Sequence, residues 1–299
     1  MRSRECGTDH RAQPATTAGD WRQSASVRIL GCVSAERDQL VVITGAAGRI
    51  GGYLRERLDR PGRVLRLLDT TEPPDVRDPE EVVVGSVTDA DAVRRAVAGA
   101  DAVVHLAGIP TEAPWRDILD VNVTGSQVVL HAAAEAGVRT VAVASSNHAA
   151  GFWERPDGGS RLPDDVAPRP DSFYGWSKAA IEALGRLYHD RYGLTVVNLR
   201  IAWCSPHPFD RRGAEIWLSP DDVGRLVEAA IAPTVTGFHT LWGVSANTTS
   251  WWSTAGGDAI DYRPQDDSQV YAAELADPDD GRPDALGGDF IANPLGRPM

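Results

Sequence analysis

The 299-residue chain is 42% hydrophobic and 24% charged, with a formal net charge of −12; this is an ordinary soluble composition, long enough for one large domain or two modest ones. The acidity, with no basic tract, argues against a nucleic-acid partner, and no apolar run approaches the ~20 residues of a membrane span. Three scattered cysteines, Cys6, Cys32 and Cys204, make neither a disulfide framework nor a zinc site, so no metal is expected and a reducing, cytoplasmic setting fits.

Residues 1–38 are rich in Arg, Ala, Ser and Thr and show little periodicity. Arg2 and Arg4 are not followed by an uninterrupted apolar core, so a signal peptide is not indicated. A transit-type segment and an upstream start that adds an arm both stay open; an unstructured tail is expected.

The first strand is Gln39-Leu40-Val41-Val42-Ile43-Thr44, which enters Gly45-Ala46-Ala47-Gly48-Arg49-Ile50-Gly51 and then a helix through Tyr53, Leu54 and Leu58. Glycines in such a turn let the backbone approach a pyrophosphate, and the helix N-terminus adds N–H groups and a favourable dipole. The spacing is GxxGxxG, and its context of strand before and helix after is the one a dinucleotide needs. A second strand, Val64–Leu68, ends in Asp69, 24 residues after Gly45. A carboxylate there accepts from the adenosine ribose hydroxyls and repels a 2′-phosphate, which favours NAD over NADP.

A third strand is expected over Glu81–Val84 and a helix over Ala90–Val97. A fourth strand, Asp101–Leu106, leads into Ala107-Gly108-Ile109-Pro110, small enough at its start for a dinucleotide to lie across Leu106, Ala107 and Gly108. His105 reads as a packed strand residue, since no second ligand stands at metal spacing. A long helix from about Trp115 to Ala136 contains Asn122, and a fifth strand, Val141–Ala144, ends in Ser145-Ser146-Asn147-His148. This alternation defines an α/β, Rossmann-type, doubly wound parallel sheet.

A Gly/Pro/Asp-rich loop follows, long enough to be functional. Next comes a helix from Tyr174 to about Tyr192 and a sixth strand from Leu194 to Ile201. Lys178, in this helix, is the one lysine among 30 basic residues. A compact ammonium and a planar guanidinium are not interchangeable where one tight charge is needed. Four residues apart on a helix, Tyr174 and Lys178 share a face. A phenol of reference pKa ~10 beside a fixed cation is expected to shift toward phenolate, a general base for a hydroxyl proton.

Beyond Trp203 the alternation fails. Cys204 to Trp217 reads as irregular. A helix begins at Ser219-Pro220-Asp221-Asp222, with Ser219 as N-cap, Pro220 at the first helical position and aspartates in the first turn. A strand near Phe238–Trp242 and a tail of turns complete the chain. The expected organisation is an arm at 1–38, a dinucleotide-binding domain with the catalytic residues at 39–202, and a mainly substrate-binding lobe with returning elements at 203–299.

The ordered set of GxxGxxG, Asp69, Ser145-Ser146, Tyr174 and Lys178 resembles the extended short-chain dehydrogenase/reductase superfamily, of the NAD-dependent epimerase/dehydratase type, over about residues 39–299. The resemblance implies NAD as cofactor. It implies Tyr174 as base, Lys178 as the residue that binds the nicotinamide ribose and acidifies the phenol, and Ser146 as the holder of the substrate oxygen. Asn122 resembles the helix asparagine that supports the lysine through water. It also implies a homodimer or higher homo-oligomer built on the 115–136 and 174–192 helices.

Within the superfamily, Ser145–His148, Arg200-Ile201 with Cys204 and Pro206, Trp242–Asn247, Trp251-Trp252, Gly287–Phe290 and Asn293-Pro294 are similar to the uronate dehydrogenases. Those enzymes oxidise the anomeric hydroxyl of a uronate to a lactone. By matching position Asn147 and His148 contact the sugar, and Arg212 pairs with its carboxylate through a bidentate fork; Arg211, beside it, is the alternative register. Three positions depart from the pattern: Arg49 for glutamine, Pro110 for serine and Trp203 for serine. All three touch the implied sugar pocket, and Arg49, in the glycine turn, is also expected among the cofactor-binding residues. A nucleotide-sugar epimerase or dehydratase with tightly held NAD, and a non-catalytic NAD sensor or scaffold, are the alternative functions on this fold.

Overall fold

The computed structural model describes residues 38–277 and 284–299; the expected arm, with Cys6 and Cys32, lies outside the described residues. Six short apolar runs become the strands β1 (Gln39–Thr44), β2 (Arg63–Asp69), β3 (Glu81–Val84), β4 (Ala102–His105), β5 (Thr140–Ser146) and β6 (Thr195–Ile201). The central ones are hydrophobic without alternation because helices cover both faces. All seven residues of β6 are buried, Asn198 and Arg200 included.

The sheet is parallel throughout and runs β3-β2-β1-β4-β5-β6, with a seventh strand, β9 (Phe238–Gly243), beside β6. This is the doubly wound order that reverses between β1 and β4. Successive residues of a strand feed opposite faces. Val41 and Ile43 join Leu54 of α1 (Arg49–Arg57) and its C-cap Leu58 in one core, while Val42 and Val103 join Val93 of α2 (Ala90–Val97) in the other.

The expected Trp115–Ala136 helix is three segments end to end: a short α3 (Trp115–Asp117), a π-helical stretch (Ile118–Thr124) and α4 (Gly125–Glu135). Hydrophobic periodicity does not register the wider π turn, which is a local adjustment common at functional sites. α5 (Phe173–Tyr192) is capped by Ser172, whose hydroxyl accepts from Gly175 N at 2.9 Å.

The stretch read as irregular is more ordered than expected. It holds β7 (Trp203–Cys204), α6 (Arg211–Glu215) and β8 (Trp217–Leu218), with β7 and β8 paired as a small parallel ribbon. Two-residue strands are too short to announce themselves by pattern. α7 (Pro220–Ala230) starts as the sequence predicts: Ser219 Oγ accepts from Asp222 N at 2.8 Å, a cap contributing about 1 kcal/mol. α7 packs on α1, and β9 extends the main sheet. A third cluster of Leu162, Trp242, Trp251, Trp252 and Leu286 lies under the last segment of the chain.

Candidate active site

The strand order reverses above the C-terminal ends of β1 and β4, where a crevice is required by the topology. A cleft of about 610 Å³ opens there, and Gly45, Ala47, Gly48, Ile50, Gly51, Asp69, Leu106, Ala107 and Gly108 all line it. Gly45 has φ +72°, and a Cβ on it would stand 2.8 Å from Ala107 N; the turn between β1 and α1 therefore closes on the end of β4 only as glycine. Gly48 caps α1 with no side-chain hydrogen bond, and the first turn has no acid, so the free N–H groups face an anion site unopposed. Asp69 ends β2 with its carboxylate held by Ala47 N at 2.9 Å and Thr70 N at 2.7 Å. A glycine cradle with an oriented carboxylate at one end fits a dinucleotide.

Tyr174 and Lys178 line the other end of the same cleft. They share a face of α5 as expected, with Lys178 Nζ 5.6 Å from the phenol ring centroid. The ammonium donates to Ala144 O at 2.7 Å. Burial pushes Tyr174 up to about 12; a hydrogen bond with Ser146 works against that rise, and the Asp171 charge adds to it. Burial likewise pushes Lys178 down to about 8, against the attraction of Glu182. The expected drop in the phenol pKa through Lys178 is thus reversed in the protein by desolvation, which penalises both charged forms.

Behind this pair lies a buried ion pair. Glu182 takes Arg200 in a fork, Nε to Oε1 at 2.9 Å and Nη2 to Oε2 at 2.8 Å, and also accepts from Ser145 Oγ. Ser145 lines the cleft with its hydroxyl given to Glu182, and Ser146 is the serine hydrogen-bonded to the phenol. Asn122 sits in the π stretch with its amide committed to protein groups: Oδ1 accepts from Ile109 N at 2.7 Å, and Nδ2 donates to Ile109 O and Ser177 Oγ, each at 3.1 Å. It latches the loop after β4 to α5 and has no hydrogen bond to Lys178.

His105 Nδ1 and Nε2 meet Thr44 Oγ1 at 2.8 Å and Ser126 Oγ at 2.9 Å, and burial lowers its pKa to about 3. It is a neutral packed residue, as the sequence indicates.

The wall beyond Ser146 is assembled from distant segments. Asn147 Nδ2 donates to Leu286 O at 2.8 Å, so its amide anchors the chain's last segment. His148 stacks on Phe290 (centroids 3.8 Å apart), meets Tyr174 edge-on at 5.7 Å, and binds Asp171 Oδ2 through Nδ1 at 2.7 Å. Asp171 has a fully buried side chain with the backbone closed around it: a Cβ on Gly151 or Gly287 would lie 1.9 or 2.0 Å from Oδ2. Glu112 accepts from Tyr174 N at 2.9 Å and Gly296 N at 2.7 Å. Arg211 pairs outward with Asp277 at 2.8 Å, while Arg212 turns inward to Ala285 O beside Gly288.

Sequence reasoning missed Asp171, Glu112 and the stacking of Phe290 on His148. The proximity of Asp171 to the N-cap Ser172 was the one local signal available.

Of the three positions at which the resemblance implies a departure, Arg49 and Pro110 line the cleft, and Trp203 stands between the lining residues Ala202 and Cys204. The Arg49 guanidinium lies over the Trp203 ring, 5.0 Å from its centroid, and Phe209 meets the same ring edge-on at 5.0 Å. Burial holds the Cys204 thiol up at about 12, against the nearby Arg49 and Arg57 charges.

The model of the NAD dependent epimerase/dehydratase family matches residues 41–219. A uronate dehydrogenase of Pseudomonas syringae pv. tomato is 41% identical over 260 residues, 85% of this chain and 93% of the relative. An NAD-dependent glucose-6-phosphate dehydrogenase of Haloferax volcanii is also 41% identical, over 261 residues, 79% of this chain and 97% of the relative. Among solved structures, a mutant uronate dehydrogenase from Agrobacterium tumefaciens complexed with NAD superposes with a TM-score of 0.79 at 36% identity, covering 86% of this chain and 98% of that one.

Proposed function

The chain belongs to the NAD dependent epimerase/dehydratase family, and on that premise we propose that it is an NAD-dependent dehydrogenase of uronate type, oxidising the anomeric hydroxyl of a sugar acid to a lactone. The observation that carries this reading is the buried pair of Tyr174 and Lys178 at the end of a glycine-turn cleft whose lining also holds Asp69, with Ser146 hydrogen-bonded to the phenol. NAD, when bound, supplies the hydride acceptor and a positively charged ring that favours the phenolate.

The protein's own residues do the rest. Gly45, Ala47, Gly48, Ile50 and Gly51 cradle the pyrophosphate, Asp69 takes the adenosine ribose, and Leu106, Ala107 and Gly108 bed the remainder. Asn122 keeps that bed in register with α5. Lys178 binds the nicotinamide ribose, and Ser146 orients the substrate hydroxyl. As the carbinol carbon loses hydride and its C–O bond becomes a carbonyl, Tyr174 takes the hydroxyl proton. His148 reads the sugar, Arg212 its carboxylate, and Asn147 fixes the segment behind them. Arg49, Pro110 and Trp203 shape the remaining pocket. Residues 203–299 act mainly as the substrate lobe while lending α7 and β9 to the core.

The reading includes a homodimer through the 115–136 and 174–192 helices and a cytoplasmic location. No described helix is long and apolar enough to cross a membrane.

The test is a panel of uronates, neutral aldoses and sugar phosphates with NAD, followed by NADH absorbance. Net NADH with an anionic sugar is expected. Sugar interconversion with no net NADH would replace this reading by a hydride-returning epimerase.

A further inference from the structure

Two of the three departures from the family pattern are in contact with each other. Arg49 is the first residue of α1 and exposed in the cleft, and its guanidinium is positioned by the face of Trp203. Among the described residues it has no carboxylate partner, and Arg49 and Lys178 are the cations lining the cleft. Lys178 is buried, bonded to Ala144 O and given to the nicotinamide ribose in the reading above, which leaves Arg49 as the exposed cation of the cleft lining. An indole face holds a guanidinium in place without neutralising it. The buried indole nitrogen of Trp203 meets no acceptor within the protein; it is enclosed away from the cleft, so the ring acts on a ligand only through the guanidinium it holds. Pro110, on the same cleft, removes a hydroxyl and a backbone donor. The cleft thus presents one exposed positive charge held in place by an indole face.

From this we propose that the Arg49–Trp203 pair is a specificity element that reads negative charge on the sugar, favouring a dianionic sugar phosphate over a monoanionic uronate. The proposal rests on the dehydrogenase reading: it keeps that reaction and site and puts a sugar phosphate ahead of the uronate as the preferred substrate. The pairing holds the Arg49 guanidinium against Trp203, next to the lining residues Ala202 and Cys204. A relative 41% identical is a dehydrogenase of glucose 6-phosphate, a sugar with the same reactive anomeric hydroxyl and a phosphate at the far end. Guanidinium forks bind such oxygens bidentately.

The experiment compares the full chain with Arg49→Gln and Trp203→Ser, using glucose 6-phosphate and glucuronate with NAD, and measures NADH binding by fluorescence. The wild type should turn over the phosphate with the higher kcat/KM. In Arg49→Gln the ratio of phosphate to uronate kcat/KM should fall about tenfold or more, as loss of one charge-assisted contact implies. Trp203→Ser should shift that ratio in the same direction. A wild-type preference for glucuronate would overturn the proposal. So would an equal loss on both sugars, or a fall in NADH affinity as large as the loss on the phosphate, which would put Arg49 on the pyrophosphate. If neither sugar yields NADH, the dehydrogenase reading fails, and calorimetry with glucose 6-phosphate in the presence of NADH still decides the pair. Binding lost in Arg49→Gln upholds it, and no binding or unchanged binding overturns it.

Discussion

On the dinucleotide side of the cleft the contacts are offered mostly by backbone: the glycine turn, the bare N-terminus of α1 and one carboxylate tied to Ala47 N. On the side proposed for the sugar they are offered by side chains fixed in turn by other side chains, such as His148 by Asp171 and Phe290. The first wall is local in sequence, spanning one strand–turn–helix unit and the ends of two neighbouring strands. The second draws on residues near 112, 147, 171, 212 and 286, brought together only by the completed fold. A backbone wall keeps its ligand when a side chain changes. A side-chain wall can be retuned one residue at a time, and Arg49, although it begins α1 on the first wall, lies against Trp203.

The sharpest way to separate the walls is at their seam. Tyr174→Phe should lower kcat by about 10³-fold, the scale of general-base catalysis, while NADH binding measured by fluorescence holds. Loss of binding in step with turnover would mean that the phenol supports the cofactor wall. Asp171→Asn should act on one side only. With the His148 partner weakened, KM for the sugar should rise roughly tenfold, the order of a charged hydrogen bond, and the pH profile of kcat/KM should move while NADH affinity stays. A purely structural Asp171 would lower thermal stability and leave that profile in place.

The smallest effect is on stability. Lys178 is held near about 8 in the fold against 10.5 unperturbed. Between those values the unfolded chain binds the proton that the folded chain does not, so this residue's contribution to stability rises with pH across that window. Tyr174, raised from 10.0 to about 12, does the reverse: the folded chain keeps its proton longer, and stability falls from pH 10 upward. Unfolding midpoints measured from pH 8 to 10 should therefore show a rising component in the wild type that Lys178→Met removes.

What the sequence made legible follows the same division. The strand–glycine–helix unit, the acid at Asp69, the i,i+4 pair on α5 and the Ser219-Pro220 helix start depend on neighbours in sequence, and each appears where the residues predict. The Arg49–Trp203 and Glu112–Tyr174 contacts join residues far apart in the chain, and no periodicity encodes them. The π turn around Asn122 was hidden because it preserves the apolar pattern of a helix. The pKa direction of Tyr174 was misjudged because proximity to a cation is visible in a sequence, whereas the depth of burial that outweighs it is not.

The closing segment at 285–296 carries a consequence for how the molecule assembles and comes apart. Its hydrogen bonds join Asn147 to Leu286 and Glu112 to Gly296, separations of 139 and 184 residues, and contacts of such span form late because the intervening chain must first be ordered. Warming should loosen these ties before the parallel sheet yields. A preparation that still grips its nucleotide could then already have lost its grip on the sugar.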